Sequence, residues 1–190
     1  MQARHAIITA LDFETTGAVE GFPEEPWQLG MVRLRRGKVA ETFETWLRVG
    51  DRPFHPRAPG SHHRVRKELA VAPRLPEMWP DLKPWWRSGP LAAHQAAADR
   101  RFVLAAAPLH RFGPWIDTLR LARHAWPGLD SYALEDLLDI LDLHDRVDHL
   151  CPGRAPHDAL FDATACAVLL EHLLHQPGWE KAGVDDLAGI

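Results

Sequence analysis

Cysteine, excess positive charge and uninterrupted apolar sequence are all scarce in this chain of 190 residues. The two cysteines, Cys151 and Cys166, have neither the close spacing of a zinc or dithiol motif nor a disulfide-rich context, so they read as reduced thiols. With 22 basic against 26 acidic residues the formal net charge is -4, which excludes a general basic footprint for gripping long duplexes regardless of sequence. Charge of this size does not exclude an enzyme that holds only a few nucleotides. No stretch approaches the ~20 apolar residues of a membrane span. The first apolar run, Ala6 to Leu11, is broken at once by Asp12 and Glu14, which argues against a signal peptide. The expectation is a cytoplasmic protein with no membrane partner. Internal repeats and low-complexity blocks are also absent, and 46% hydrophobic with 25% charged residues is ordinary globular composition for one domain with a sizeable core.

What is present begins with three strand patterns, over 5–13, 28–36 and 39–48, the last two joined by a turn at Arg35-Arg36-Gly37-Lys38. A Pro- and Gly-rich loop follows from Asp51 to Gly60, then a short helical stretch up to Ala70 and a helical candidate from Leu75 to Trp86 that Pro80 and Pro84 bend or break. Pro90 to Ala93 and Trp115-Ile116 read as short strands, and Asp99 to Ala107 as a helix. Asp117 is placed to cap a helix over Thr118–Ala125, and Asp158 to cap a long one over Ala159–Leu174. Leu134, Leu137, Leu138 and Leu141 have helical spacing, His144 to His149 reads as a solvated segment between helices, and Glu180 to Ile190 has no strong pattern. Three meandering strands followed by alternating helix and strand predict an α/β domain with a mixed sheet.

The chemistry concentrates in Asp12-Phe13-Glu14-Thr15-Thr16-Gly17. Side chains at i and i+2 of a strand share a face, so both carboxylates stand together at the strand's end. Unpaired carboxylates that close repel unless a proton or cation lies between them, and a divalent metal is the natural occupant. Two further blocks could converge on that end: His94-Gln95-Ala96-Ala97-Ala98-Asp99 at a strand exit, and His157-Asp158-Ala159-Leu160-Phe161-Asp162 at the start of the last strong helix.

These three blocks resemble those of the DEDDh 3′-to-5′ exonucleases, the family that includes the epsilon proofreading subunit of bacterial replicative DNA polymerase, over roughly residues 5 to 176. The resemblance implies a ribonuclease-H-like fold, a central mixed five-stranded sheet flanked by helices, with an exonuclease domain at 1–176 and a short C-terminal tail at 177–190. It implies two divalent cations, Mg²⁺ or Mn²⁺, held by Asp12, Glu14, Asp99 and Asp162, with His157 as general base, a role that suits an imidazole titrating near neutral pH. A site of oxygen ligands without thiolates favours those hard cations over zinc. His157 stands five residues before Asp162, which places it in the loop ahead of the helix. Substrate contacts are expected from Thr15, Thr16, Phe13 and His62.

Two departures from the family pattern stand out, Gln95 in place of an asparagine and Ala98 in place of a phenylalanine, and the expectation is an active enzyme with altered fine specificity. The reaction implied is release of nucleoside 5′-monophosphates from single-stranded or frayed 3′ ends of DNA, in proofreading or repair, with a DNA polymerase as the partner. Two alternatives stay open, an exoribonuclease acting on short RNA and a non-catalytic, polymerase-associated nucleic-acid-binding module. Trp79, Trp85 and Trp86 read as core or partner-facing residues rather than base-stacking ones.

Overall fold

A computed structural model describes residues 1–190. Strands β1 (Ile7–Thr15), β2 (Pro26–Arg35) and β3 (Lys38–Trp46) form an antiparallel meander, and β4 (Leu91–Ala93) and β5 (Trp115–Asp117) extend it in parallel to give the order β3-β2-β1-β4-β5. This is the mixed five-stranded sheet expected. Arg36 and Gly37 both take positive φ, 52° and 70°, the backbone that a two-residue hairpin needs to match the strand twist.

β1 is central and apolar on both faces, and its alternation sorts the layers. Ile8 and Ala10 pack with Ala163, Ala167 and Leu170 of helix α7 (Ala159–Leu174), while Leu11 and Phe13 pack on the other face with Leu82 and Trp86 of α2 (Trp79–Trp86) and Phe102 and Val103 of α3 (Ala97–Ala106). Asp12 and Glu14 therefore project on the α7 side. Gly30 of β2, the register partner of Asp12, has no side chain because α7 begins against it: a Cβ there would stand 2.1 Å from the Ala159 carbonyl oxygen. α1 (Arg66–Val71), α4 (Thr118–Ala125) and α5 (Leu134–Ile140) complete the elements that sequence pattern anticipates. The candidate helix over 75–86 divides into a 3-10 turn, Leu75–Met78, and α2, with Pro80 in the first turn where its missing N–H costs nothing.

Two helices were not legible. His144 to His149 is not a solvated connector but most of α6 (His144–Leu150), held by the single buried Val147 among polar neighbours. The pattern-free C-terminal stretch contains α8 (Val184–Gly189), whose Val184 and Leu187 are buried in the cluster under α7. A six-residue helix is far below the ~12–15 residues at which isolated helices become stable, so α8 depends on those two anchors. No helix is long and apolar enough to cross a membrane.

Candidate active site

Four acids from three separate elements meet at the end of β1. Glu14 is buried and Asp12 half-buried. Asp99 lies in the first turn of α3, buried, and its Oδ1 accepts the Phe13 N–H at 3.1 Å, beyond the short β1–β4 ladder. Asp162 lies in the first turn of α7, and its Oδ2 accepts the His157 N–H at 3.0 Å. Ligand atoms of Glu14, His157 and Asp162 all lie within 4.8 Å of one another, with the imidazole exposed.

The electrostatics follow from this crowding. Burial, then repulsion from Asp99, Asp162 and Glu14, raises the Asp12 carboxyl well above its ordinary value. Glu14 is pushed up to about 8 by burial and by Asp162. Asp99 and Asp162 rise to about 7, again chiefly through burial, opposed by the N–H groups of Phe13 and His157. A hydrogen bond between Glu14 and Asp162 raises the first and lowers the second, as when two carboxyls share a proton. None of the ion pairs in the molecule supplies a cation to these four groups. Four carboxylates without a basic partner fit hard divalent cations.

Two turns aim the helix-borne acids. Before α3, Gln95 adopts φ 66°, and Asp117 fixes the turn by accepting the N–H groups of Gln95 and Ala96 at 3.2 and 3.1 Å while also capping α4. Before α7, His157 adopts φ 64°. A non-glycine residue in this region costs free energy and persists only where its surroundings hold it. Here the holding group is Arg154, which donates to both carboxylate oxygens of Glu44 at 2.8 and 2.7 Å and to Asp158 at 2.7 Å. Those bonds, Glu44's first, raise its pKa further above neutrality. Asp158 in turn caps α7, and Gln28 of β2 joins the network, donating to Glu44 at 3.0 Å and accepting the Ala159 N–H at 3.2 Å. Arg154 and Glu44 escape sequence reasoning because each is significant only through partners distant in the chain.

The expected substrate contacts fall in distinct places. Thr15 donates to Glu24 at 2.5 Å, and the buried Thr16 hydroxyl accepts the Glu25 N–H at 3.1 Å. The Phe13 ring is buried against Phe102 with centroids 5.4 Å apart. His62 is half-buried, stacked on Phe54 at 4.2 Å, in a loop whose Gly60 abuts the His157 carbonyl. His94, which opens the second block, is a structural pin: Nε2 donates to the Tyr132 carbonyl at 2.9 Å, leaving Nδ1 to accept from the Thr118 hydroxyl at 3.0 Å, and burial lowers its pKa and keeps it neutral.

Residues 9–170 match the family model described as exonuclease. The chain is 30% identical over 183 residues to Exodeoxyribonuclease 10 of Escherichia coli K12, covering 96% of this chain and 76% of that protein. It is 25% identical over 184 residues to DNA polymerase III subunit epsilon of Aquifex aeolicus, covering 94% and 85%. A solved structure described as Exonuclease X in complex with 5′ overhanging duplex DNA aligns with a TM-score of 0.74 at 28% identity, covering 96% and 99%. Pop2p of S. pombe, at a TM-score of 0.71 and 13% identity, shares the fold.

Proposed function

The chain belongs to the exonuclease family, whose members of this kind use divalent metals, and from that premise we propose that Asp12, Glu14, Asp99, Asp162 and His157 hydrolyse phosphodiester bonds at the 3′ end of single-stranded or frayed DNA, releasing nucleoside 5′-monophosphates. The observation that carries this reading is the convergence of four acids with no basic partner beside an exposed histidine. DNA is favoured over RNA because Exodeoxyribonuclease 10 and the DNA-bound Exonuclease X are both similar over nearly the whole chain. A DNA polymerase partner belongs to the proofreading form of the reading, motivated by similarity to subunit epsilon.

Asp12, Glu14, Asp99 and Asp162 would hold two cations, Mg²⁺ or Mn²⁺, which supply water activation and neutralise charge at the phosphoryl group and the departing 3′ oxygen. The residues of the chain do the rest. His157 takes the proton of the attacking water, and its exposed ring beside Glu14 and Asp162 leaves room for that water. Its backbone N–H holds Asp162 in orientation, so base and ligand move as one unit. Thr15 and Thr16, at the exit of β1, contact the terminal nucleotide together with His62, whereas Phe13, its ring buried against Phe102, packs beneath them.

The test is a time course on 3′-labelled and 5′-labelled single-stranded DNA and RNA with Mg²⁺, Mn²⁺ or EDTA, comparing the native chain with Asp12→Ala. Metal-dependent stepwise shortening from the 3′ end that disappears in the variant is expected, with DNA cut faster than RNA. An undiminished rate in Asp12→Ala removes the acid cluster from the mechanism, and no cleavage of either polymer makes the protein a binding module.

A further inference from the structure

Although the chain is acidic overall, its positive charge is unevenly placed. Between Arg48 and Arg74 lie seven of the 22 Lys and Arg residues against two acids, Asp51 and Glu68, a local excess of five positive charges. This segment leaves β3 at the end of the sheet that carries the acid cluster. It is tied there by the His55 N–H donating to the Thr16 carbonyl at 2.8 Å and by Gly60 lying against the His157 carbonyl.

The segment borders a cavity of about 590 Å³ whose walls include Arg48, Arg52, Arg74 and Arg101, and a second of about 510 Å³ to which Arg48 and Arg66 contribute. Arg48, Val49 and Gly50 line both, so the two cavities lie side by side along this segment as a basic trough whose walls run from α3 to α1. The arginines are not equally committed. Arg52 pairs with Glu25 at 2.6 Å and Arg101 pairs with Glu24, so those two hold the β1–β2 loop in place. Arg48 has only a loose 3.4 Å contact to the exposed Glu77, and its Nε is buried without any hydrogen-bond partner. Arg74 makes no ion pair, and Arg66 has no acid but lies over the Phe54 ring at 4.2 Å. A buried donor left unsatisfied is costly, and an arginine fork matches phosphate oxygens closely.

We propose that this trough binds backbone phosphates of the nucleic acid upstream of the nucleotide being removed, with Arg48, Arg66 and Arg74 as the phosphate ligands; the assignment rests on the exonuclease reading above. The trough adjoins elements that carry the acids: Glu24 in its wall accepts from Thr15 at the end of β1, and Phe102 lies three residues after Asp99 on α3. It thus reconciles an acidic chain with a polyanionic substrate, because grip and cutting reside in different places. It also makes affinity depend on strand length, whereas the terminal-nucleotide contacts do not.

The experiment measures equilibrium binding by fluorescence anisotropy, at several salt concentrations, of DNA and RNA oligonucleotides from dinucleotides to about 20 nucleotides, for the native chain and Arg48→Gln/Arg66→Gln/Arg74→Gln. Loss of three phosphate contacts should weaken the long strands at least about tenfold at low salt and lower the slope of log affinity against log salt by about two, while changing the dinucleotide less than twofold. The triple Lys variant should recover most of the binding, which separates charge from folding. Should Arg48→Gln prevent folding, the exposed pair Arg66→Gln/Arg74→Gln carries the test with a slope change of about one. An unchanged slope, or equal weakening at every length, overturns the proposal. Hydrolysis of a nitrophenyl ester of thymidine 5′-phosphate by the native chain is scored separately, so failure of the exonuclease reading shows there and failure of the trough shows in the salt slope.

Discussion

The turn before α3 and the loop before α7 each deliver an acid to the site, each through a non-glycine residue with φ near +65°, yet they are secured differently. The turn at Gln95 is fixed by backbone N–H groups donating to Asp117, which itself ends β5, so Asp99 is placed by the sheet. The loop at His157 is fixed by Arg154, which reaches across to Glu44 on β3 and back to Asp158. One acid is thus positioned through a single carboxylate at the end of a paired strand. The other, together with the candidate base, is positioned by a charge network that one substitution can dismantle.

The largest effect is expected at the residue for which the second loop exists. His157→Ala should lower kcat by roughly 10²–10⁴-fold while cation affinity measured by titration calorimetry is retained. Lost cation affinity would make His157 a ligand instead of a base.

Breaking the two anchors should separate the regions. Arg154→Ala should lower kcat by about 10–100-fold, the usual cost of removing a group that orients a metal ligand, and Arg154→Lys should recover only part because it lacks the planar fork. Asp117→Ala should instead show mainly as stability, about 0.5–2 kcal/mol for a lost helix cap, read by denaturant titration. Equal kinetic losses in the two variants would erase the distinction.

The smallest effect is a pH trend in the cation-free chain. The raised carboxyls, Glu14 to about 8 and Asp99 and Asp162 to about 7, bind protons more tightly folded than unfolded. Their contribution to stability is therefore fully present below the unfolded carboxyl range and is lost as pH climbs through about 7 to 8. In EDTA the melting temperature should fall between about pH 5 and 9, and Mg²⁺ or Mn²⁺ should restore it most at the alkaline end. A flat profile would mean that the acids are not crowded in solution.

Sequence pattern went furthest where meaning is local. The i, i+2 acids, the hairpin at Arg36-Gly37, and the caps Asp117 and Asp158 were all readable, because strand alternation, turn φ and capping are set by neighbours. The ribonuclease-H-like fold itself came from motif resemblance, since a meander followed by alternating elements suits several α/β arrangements. α6 and α8 were missed because one or two buried residues do not make a period. Gly30 and Arg154 were missed because a steric vacancy and a salt-bridge hub acquire purpose only from elements far along the chain.

The empty place at Gly30 has a consequence for how the molecule comes together. Ala159, which settles on it, bonds to Gln28 from 131 residues away, so the centre cannot close until nearly the whole chain has been made and the β1–β2 pair is in place. Contacts of such high sequence separation are the slow ones in folding. A cation that needs Asp12 and Asp162 together finds nothing to bind in partly folded chains. If the proposed cations are held there, their affinity reports completed assembly.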